Sequence, residues 1–271
     1  MTTSRPVGVL VMAHGTPQTL DDLENFYTEI RGGRAPGNDL LGELRRRYVA
    51  IGGRSPLAEI TAAQVEGLKL SLSPTAGRVG SAGSAGRVRR SNSSGGAFVV
   101  ELGYKFANPR IEDAVDTLQR AGAEQSVGIV LAPHSSVVSV GEYARRAEKA
   151  FSTTSPASKF GKAGVVHVIE NWYRAAGLVE LWSHRVERAI AELPEPAARD
   201  VCVVFSAHSV PLRVVKDGDS YAEQVQESAD SVAANLGLET FDVAWQSAGR
   251  TPEPWLGPSL LDAIREHAEK G

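Results

Sequence analysis

VGVLVMAHGTP, residues 7–17, is a near-continuous apolar run that stops abruptly at His14-Gly15. Val7 to Ala13 shows no polar alternation, so both faces of the segment are to be buried, as in a parallel sheet covered on each side. The next segment, LDDLENFYTEI (20–30), changes period: Leu20, Leu23, Tyr27 and Ile30 fall on one helical face, with Thr19 as N-cap and Gly32-Gly33 as the stop. Helical patterns also cover LLGELRRRYVAI (40–51) and a stretch beginning near Ile60. The strand-then-helix alternation recurs downstream. FVVELGY (98–104), SVGIVLAPH (126–134), VVHVIE (165–170), VCVVFSA (201–207) and FDVAWQS (241–247) read as strands. PRIEDAVDTLQRAG (109–122), GEYARRAEKAF (141–151), LVELWSHRVERAIAEL (178–193) and SYAEQVQESADSVAANLG (220–237) read as helices, the last with a Ser220–Glu223 capping box and a Gly237 C-cap. The expectation is an α/β protein with parallel sheets.

The chain has 271 residues, a net charge of −3, 42% hydrophobic and 23% charged residues. This is soluble globular composition, and the length suits two domains of ordinary size. The division is placed at residues 1–151 and 152–271, across the loose stretch STTSPASKFGKAG (152–164). Residues 73–96 are rich in Gly and Ser, with four Arg and no acid, and read as an insertion within the first domain. The small negative charge argues against nucleic-acid binding. No apolar run reaches membrane-spanning length and the first segment reads as a strand rather than a signal peptide, so a cytoplasmic protein is expected. Cys202 is the single cysteine, which excludes a disulfide framework and any multi-cysteine iron–sulfur site; within its apolar run it reads as a small core residue.

Parallel α/β sheets bind ligands outside the carboxyl ends of their strands. Three of the six histidines fall at such ends: His14 after VLVMA, His134 after IVLAP and His208 after VVFSA. One such histidine alone reads as a loop residue; three at equivalent places read as a site for metal or proton handling. The chain has no G-x-S-x-G elbow, no G-x-G-x-x-G and no Walker A lysine, which removes support for a serine hydrolase or a nucleotide site.

At these residues the sequence resembles the ferrochelatase family, and within it the monofunctional coproporphyrin ferrochelatases of Gram-positive bacteria. The likeness is carried by VLVMAHGTP, IRGGRAP, RRRYVAIGGRSPLAEITAAQ, IVLAPHSSVVSVGEY, FSAHSVP, GDSYAEQV and WQSAGRTPEPWLGP, in order, over about residues 7–270 apart from the 73–96 insertion. The resemblance implies two Rossmann-like, chelatase-type domains with a cleft between them. It implies insertion of Fe²⁺ into coproporphyrin III, with iron as substrate and no organic cofactor. The single cysteine argues against the [2Fe–2S] cluster that some relatives hold. By the same resemblance His208 is the catalytic histidine, as metal ligand or acceptor of pyrrole protons. His14 stands where close relatives carry a tyrosine facing the macrocycle. Arg31, Arg47, Tyr48, Ser55, Tyr143 and Trp255 match positions that contact the porphyrin and its propionates. His134 is given no main role, and a monomer is expected.

The physical chemistry agrees with that assignment. Metallation needs a flat apolar slot, cations for propionates and a base for two pyrrole protons, and the planar guanidinium fork of arginine suits carboxylates. The family also carries a glutamate opposite the essential histidine, on a strand that would follow LLDAIREHAEKG. That second ligand is expected beyond residue 271, so the chain reads as C-terminally short and its second domain as lacking a last strand. Asp217, Asp219 and Glu223 follow His208 and read as loop and helix caps. Two other functions remain open on the sequence: a non-catalytic haem- or porphyrin-binding protein, and a divalent-metal chelatase acting on another tetrapyrrole.

Overall fold

The computed structural model describes residues 5–73, 97–153, 164–195, 201–249 and 251–270. The sequence segments 74–96 and 154–163, covering nearly all of the insertion and of the loose stretch, lie outside the described residues. Strand β1 (Val7–Ala13) leads to helices α1 (Leu23–Ile30), α2 (Asn38–Ala50) and α3 (Leu57–Leu72). Then come β2 (Phe98–Tyr104), α4 (Ile111–Ala121), β3 (Gln125–Val130), α5 (Val140–Ser152) and β4 (Val165–Ile169). The rest is α6 (Ala176–Ala191), β5 (Val203–His208), α7 (Leu212–Lys216), α8 (Tyr221–Leu236), β6 (Phe241–Gln246) and α9 (Leu260–Lys270).

The protein is α/β with two parallel sheets, one of four strands in the order β2-β1-β3-β4 and one of two, β5-β6. The fold thus follows from the unbroken apolar strands. Leu10, Val11 and Met12 of β1 are fully buried, which requires cover on both faces of the sheet. On one face Val9 and Val11 cluster with Val65 of α3 and Val100 of β2, and Leu68, Leu72 and Ile129 pack around them. The other cover is α4, whose Ile111, Val115 and Leu118 are buried along one stripe. Its approach to β2 is close: a Cβ on Gly103 would stand 2.6 Å from Ile111 Cα. Gly122 ends α4 in the left-handed region (φ 89°), and the N–H of Ala123 donates to the carbonyl of Leu118, 3.1 Å, satisfying an end carbonyl.

The chain divides into two compact units, residues 1–132 with 142–170, and residues 133–141 with 171–271. β4 pairs with β3 from Gln125↔Val165 to Ile129↔Ile169, so it belongs to the first sheet. Its place after the loose stretch puts it, by sequence order alone, at the opening of the second half. Sequence order misled because a parallel strand joins its neighbour only after a crossover, here through α5.

Local differences from the sequence reading have identifiable causes. Helix α1 starts at Leu23, because Asp22 Oδ2 accepts both the N–H (2.9 Å) and the hydroxyl (2.8 Å) of Thr19 and so closes a turn ahead of the helix. Those bonds hold the Asp22 carboxyl below its usual range. The Ser220–Glu223 capping box does not form. Ser220 Oγ accepts from Gln224 Nε2, 2.8 Å, and the first helical N–H, that of Tyr221, donates to Asp219 Oδ1, 3.0 Å. Strand β3 ends at Val130, short of His134; the N–H of Leu131 still donates to the carbonyl of Met12 (2.8 Å), and Pro133 beyond it has no N–H with which to extend the ladder.

Candidate functional site

In the second unit, His208 is the last residue of β5 and lies opposite Gln246 of β6. Its backbone is fixed from two sides. The next N–H, from Ser209, donates to the carbonyl of Gln246 at 2.7 Å, and the hydroxyl of Tyr221 donates to the carbonyl of His208 at 3.1 Å. Residue 208 itself is exposed. The result is a strand end held on both sides that carries an exposed histidine, a side chain whose chemistry suits metal or proton handling.

Trp255 is brought to the same end of the sheet. The segment around it pairs with the turn after His208: Pro211 and Trp255 form an antiparallel bridge, the N–H of Leu212 donates to the carbonyl of Pro254 (2.9 Å), and that of Leu256 to the carbonyl of Val210 (3.0 Å). The Trp255 indole lies on Gly249, where a Cβ would come within 2.3 Å of Cζ2, and its Nε1 donates to Thr251 Oγ1 at 2.9 Å. Glycine at 249 is therefore a requirement of this half-buried, fixed ring.

Tyr221 was not among the residues singled out from the sequence, although GDSYAEQV was part of the resemblance. Besides holding His208, its ring meets Trp245 (centroids 5.8 Å) and His134 (6.1 Å, edge-on), and burial pushes its phenol up. The missing signal is a tertiary one, since nothing local marks a helix-start tyrosine as the clamp on a neighbouring strand.

His134 belongs to the second unit and does not stand at a strand end. Its ring stacks with Tyr173 (5.8 Å) and Trp182 (5.9 Å), and Nε2 lies 2.8 Å from Ser228 Oγ. Burial lowers its pKa to about 4, so the ring is neutral at ordinary pH. With Trp182, Arg185, Phe205, Ala207 and Val225 it lines a cavity of about 290 Å³. Asp219 works in the same region as an internal tie: Oδ2 accepts the Ser136 hydroxyl (2.9 Å) and the Val137 N–H (2.8 Å).

The first unit holds the remaining singled-out residues. His14 is exposed directly after β1, its ring against Phe106 (4.9 Å) and Phe26 (5.9 Å). Two residues on, Thr16 Oγ1 lies 3.4 Å from the Tyr48 hydroxyl, so α2 delivers Tyr48 to the loop that carries His14. Arg47, on the same helix, is exposed and pairs with Glu43 one turn back. Arg31 is exposed beyond α1, with Nε donating to the carbonyl of Arg34 at 3.2 Å. Ser55 acts locally, accepting the N–H of Leu57 at the start of α3, 3.2 Å. Tyr143 is only 6% exposed and lies under the Lys105 ammonium, 5.3 Å from the ring centroid, and burial drives its phenol far up.

Lys105 marks a charge network that the sequence did not disclose. It is 7% exposed and pairs with Glu142. Its carbonyl accepts from Arg110 (2.9 Å) and Arg146 (2.7 Å). Each arginine forks onto a carboxylate, Arg110 onto Glu29 (2.6 and 2.7 Å) and Arg146 onto Glu112 (2.9 and 2.7 Å). Beside it, Thr16, Phe26, Glu29, Phe106, Asn108 and Arg110 line a cavity of about 250 Å³ at the carboxyl end of β1.

The class defined so far is a parallel α/β protein that brings His14 and His208 to the carboxyl ends of its strands, the place where such sheets bind ligands. The family profile described as ferrochelatase matches residues 6–271. The chain is 39% identical over 266 residues to the coproporphyrin III ferrochelatase of Anoxybacillus flavithermus, covering 98% of this chain and 77% of that protein. It is 38% identical to the protein of that name from Geobacillus thermodenitrificans (98% and 77%) and 37% identical to the one from Listeria innocua (97% and 77%). The chain belongs to the ferrochelatase family.

Proposed function

We propose that this protein inserts Fe²⁺ into coproporphyrin III, with His208 as the catalytic group. The observation that carries the reading is the exposed His208 imidazole on a clamped strand end, in a chain that belongs to this family along nearly its whole length. Insertion exchanges one Fe²⁺ for two pyrrole N–H protons. The iron–nitrogen bonds form as the two N–H bonds break, and the protons leave through a base. A neutral imidazole serves as that base, or as the ligand that strips water from the iron before transfer. Ladder, Tyr221 and Ser209 hold the strand end, so the ring meets the macrocycle without reorganising its backbone.

The other roles follow the chemistry of each side chain. Arg31 and Arg47 are exposed cations fit to pair with propionates. His14, flanked by Phe26 and Phe106, and Trp255, seated on Gly249, offer ring surfaces to a flat apolar ligand. Tyr48, Ser55 and Tyr143 complete the assigned set as supports: Tyr48 reaches the His14 loop, Ser55 starts α3, and Tyr143 packs under Lys105. No described helix is long and apolar enough to cross a membrane. The test is turnover of purified protein with Fe²⁺ and coproporphyrin III, protoporphyrin IX or sirohydrochlorin in parallel. The proposal requires metallation well above the uncatalysed rate, fastest with coproporphyrin III. Binding without acceleration would leave a porphyrin-binding protein, and faster metallation of sirohydrochlorin would reassign the substrate.

A further inference from the structure

At the opposite end of the second sheet three potential ligands of different chemistry converge. Cys202 directly precedes β5, Asp242 is the second residue of β6, and His267 is on α9. One ligand atom from each, the Cys202 thiol, an Asp242 carboxylate oxygen and His267 Nε2, lies within 4.8 Å of both others. The sequence reading placed Cys202 in the core. In the structure it is exposed, because β5 begins only at Val203. The side chains of His267 and Asp242 are 33% and 50% exposed, and with Glu239 and Thr240 the three residues line an open hollow of about 730 Å³.

We propose that Cys202, Asp242 and His267 form a binding site for a borderline divalent cation of the Zn²⁺ type, distinct from the site of His208. Thiolate, imidazole and carboxylate are the donors that such ions select, and three protein ligands with an open fourth position is a familiar coordination. The spacing suits it. Zn–S of about 2.3 Å and Zn–N of about 2.05 Å at a tetrahedral angle put sulfur and nitrogen about 3.5 Å apart, and Cys202 Sγ lies 3.4 Å from His267 Nε2. The His267–Asp242 hydrogen bond, made through the same Nε2, is the contact that the ion replaces. The hollow leaves room for water or Glu239 at the fourth position. The two sites are far apart: from Cys202 to His208 the strand runs about 20 Å.

The test uses the full chain carrying His208→Ala, so that the proposed reaction site contributes no imidazole. Protein stripped with a chelator is titrated with Co²⁺ and then Zn²⁺, and Cys202 alkylation is timed with and without Zn²⁺. The expected result is one Co²⁺ per chain with sulfur-to-metal charge-transfer absorption. Cys202→Ser should abolish that absorption, His267→Gln should weaken binding at least tenfold, and saturating Zn²⁺ should slow alkylation at least tenfold. The alkylation reading needs no substitution at the proposed site, so it stands even if a variant there folds poorly. Binding without the sulfur band, a band unchanged in His267→Gln, or alkylation as fast with Zn²⁺ as without it would each overturn the proposal.

Discussion

His208 combines two properties that separate activity from stability. Its backbone is held by the β5–β6 ladder and Tyr221, while its residue surface is exposed. Removing the ring should therefore cost the fold little, within about 0.5 kcal/mol for an exposed position. The chemical step is another matter, because a positioned acid–base group contributes about 10²–10⁴-fold. His208→Ala is expected to lower kcat for coproporphyrin metallation at least 100-fold with an unchanged Tm. Steady-state fluorescence loss of the porphyrin and a thermal melt check both halves. Tyr221 acts through His208 rather than on substrate. Tyr221→Phe keeps the ring packing against Trp245 and His134 and removes only the bond to the His208 carbonyl. It should lower kcat by less than His208→Ala and leave KM close to wild type, a split that plain loss of packing would not give.

At the level of elements, what the sequence made legible is whatever is written locally. β1, β2 and the αL stop at Gly122 emerge where the apolar runs and the glycine put them. What was not legible depends on partners distant in sequence. β4 belongs to the first sheet by pairing with β3, His134 stacks in the second unit, and Tyr221 clamps a strand 13 residues earlier. The site shows the same split: His208 and His14 could be placed by their strand ends, whereas the Lys105 network needs residues from four segments. The β2–α4 contact gives an element-scale prediction. Gly103→Ala would put a Cβ 2.6 Å from Ile111 Cα and 3.1 Å from Ile111 N, backbone atoms that cannot rotate away. Helix α4 must shift outward, and overpacking of this kind costs about 1–3 kcal/mol. Leu118→Ala, on the same fully buried stripe, removes rather than adds volume and should cost about 2–5 kcal/mol. Both should lower the urea midpoint without changing the spectrum of bound porphyrin.

For the molecule as a whole, the acid limb of stability follows from groups whose ionisation folding disturbs. His134 is the largest of these. Its folded pKa is about 4 against an ordinary 6.5, because burial among Tyr173, Trp182 and Tyr221 disfavours the imidazolium. A lowered pKa means the folded state binds fewer protons than the unfolded chain. Its contribution is therefore fully present above pH 6.5 and drains as pH falls toward about 4. Full transfer across that interval would be about 3 kcal/mol, and the partial exposure of the ring brings the figure to about 1–2 kcal/mol. Glu112 adds a second loss at lower pH. The Arg146 guanidinium holds its carboxyl below the usual range, so its contribution is present above the unfolded value and is lost as pH drops through the lowered one. The two act in sequence, histidine first. Urea unfolding from pH 7.5 to 3 should show stability falling with pH; His134→Gln should flatten the slope between pH 6.5 and 4.5 while sparing the further fall below pH 4.5, which Glu112→Gln should lessen. A wild-type stability independent of pH between 6.5 and 4.5 would mean that His134 takes up its proton without leaving the fold, and would remove burial as the source of the acid limb.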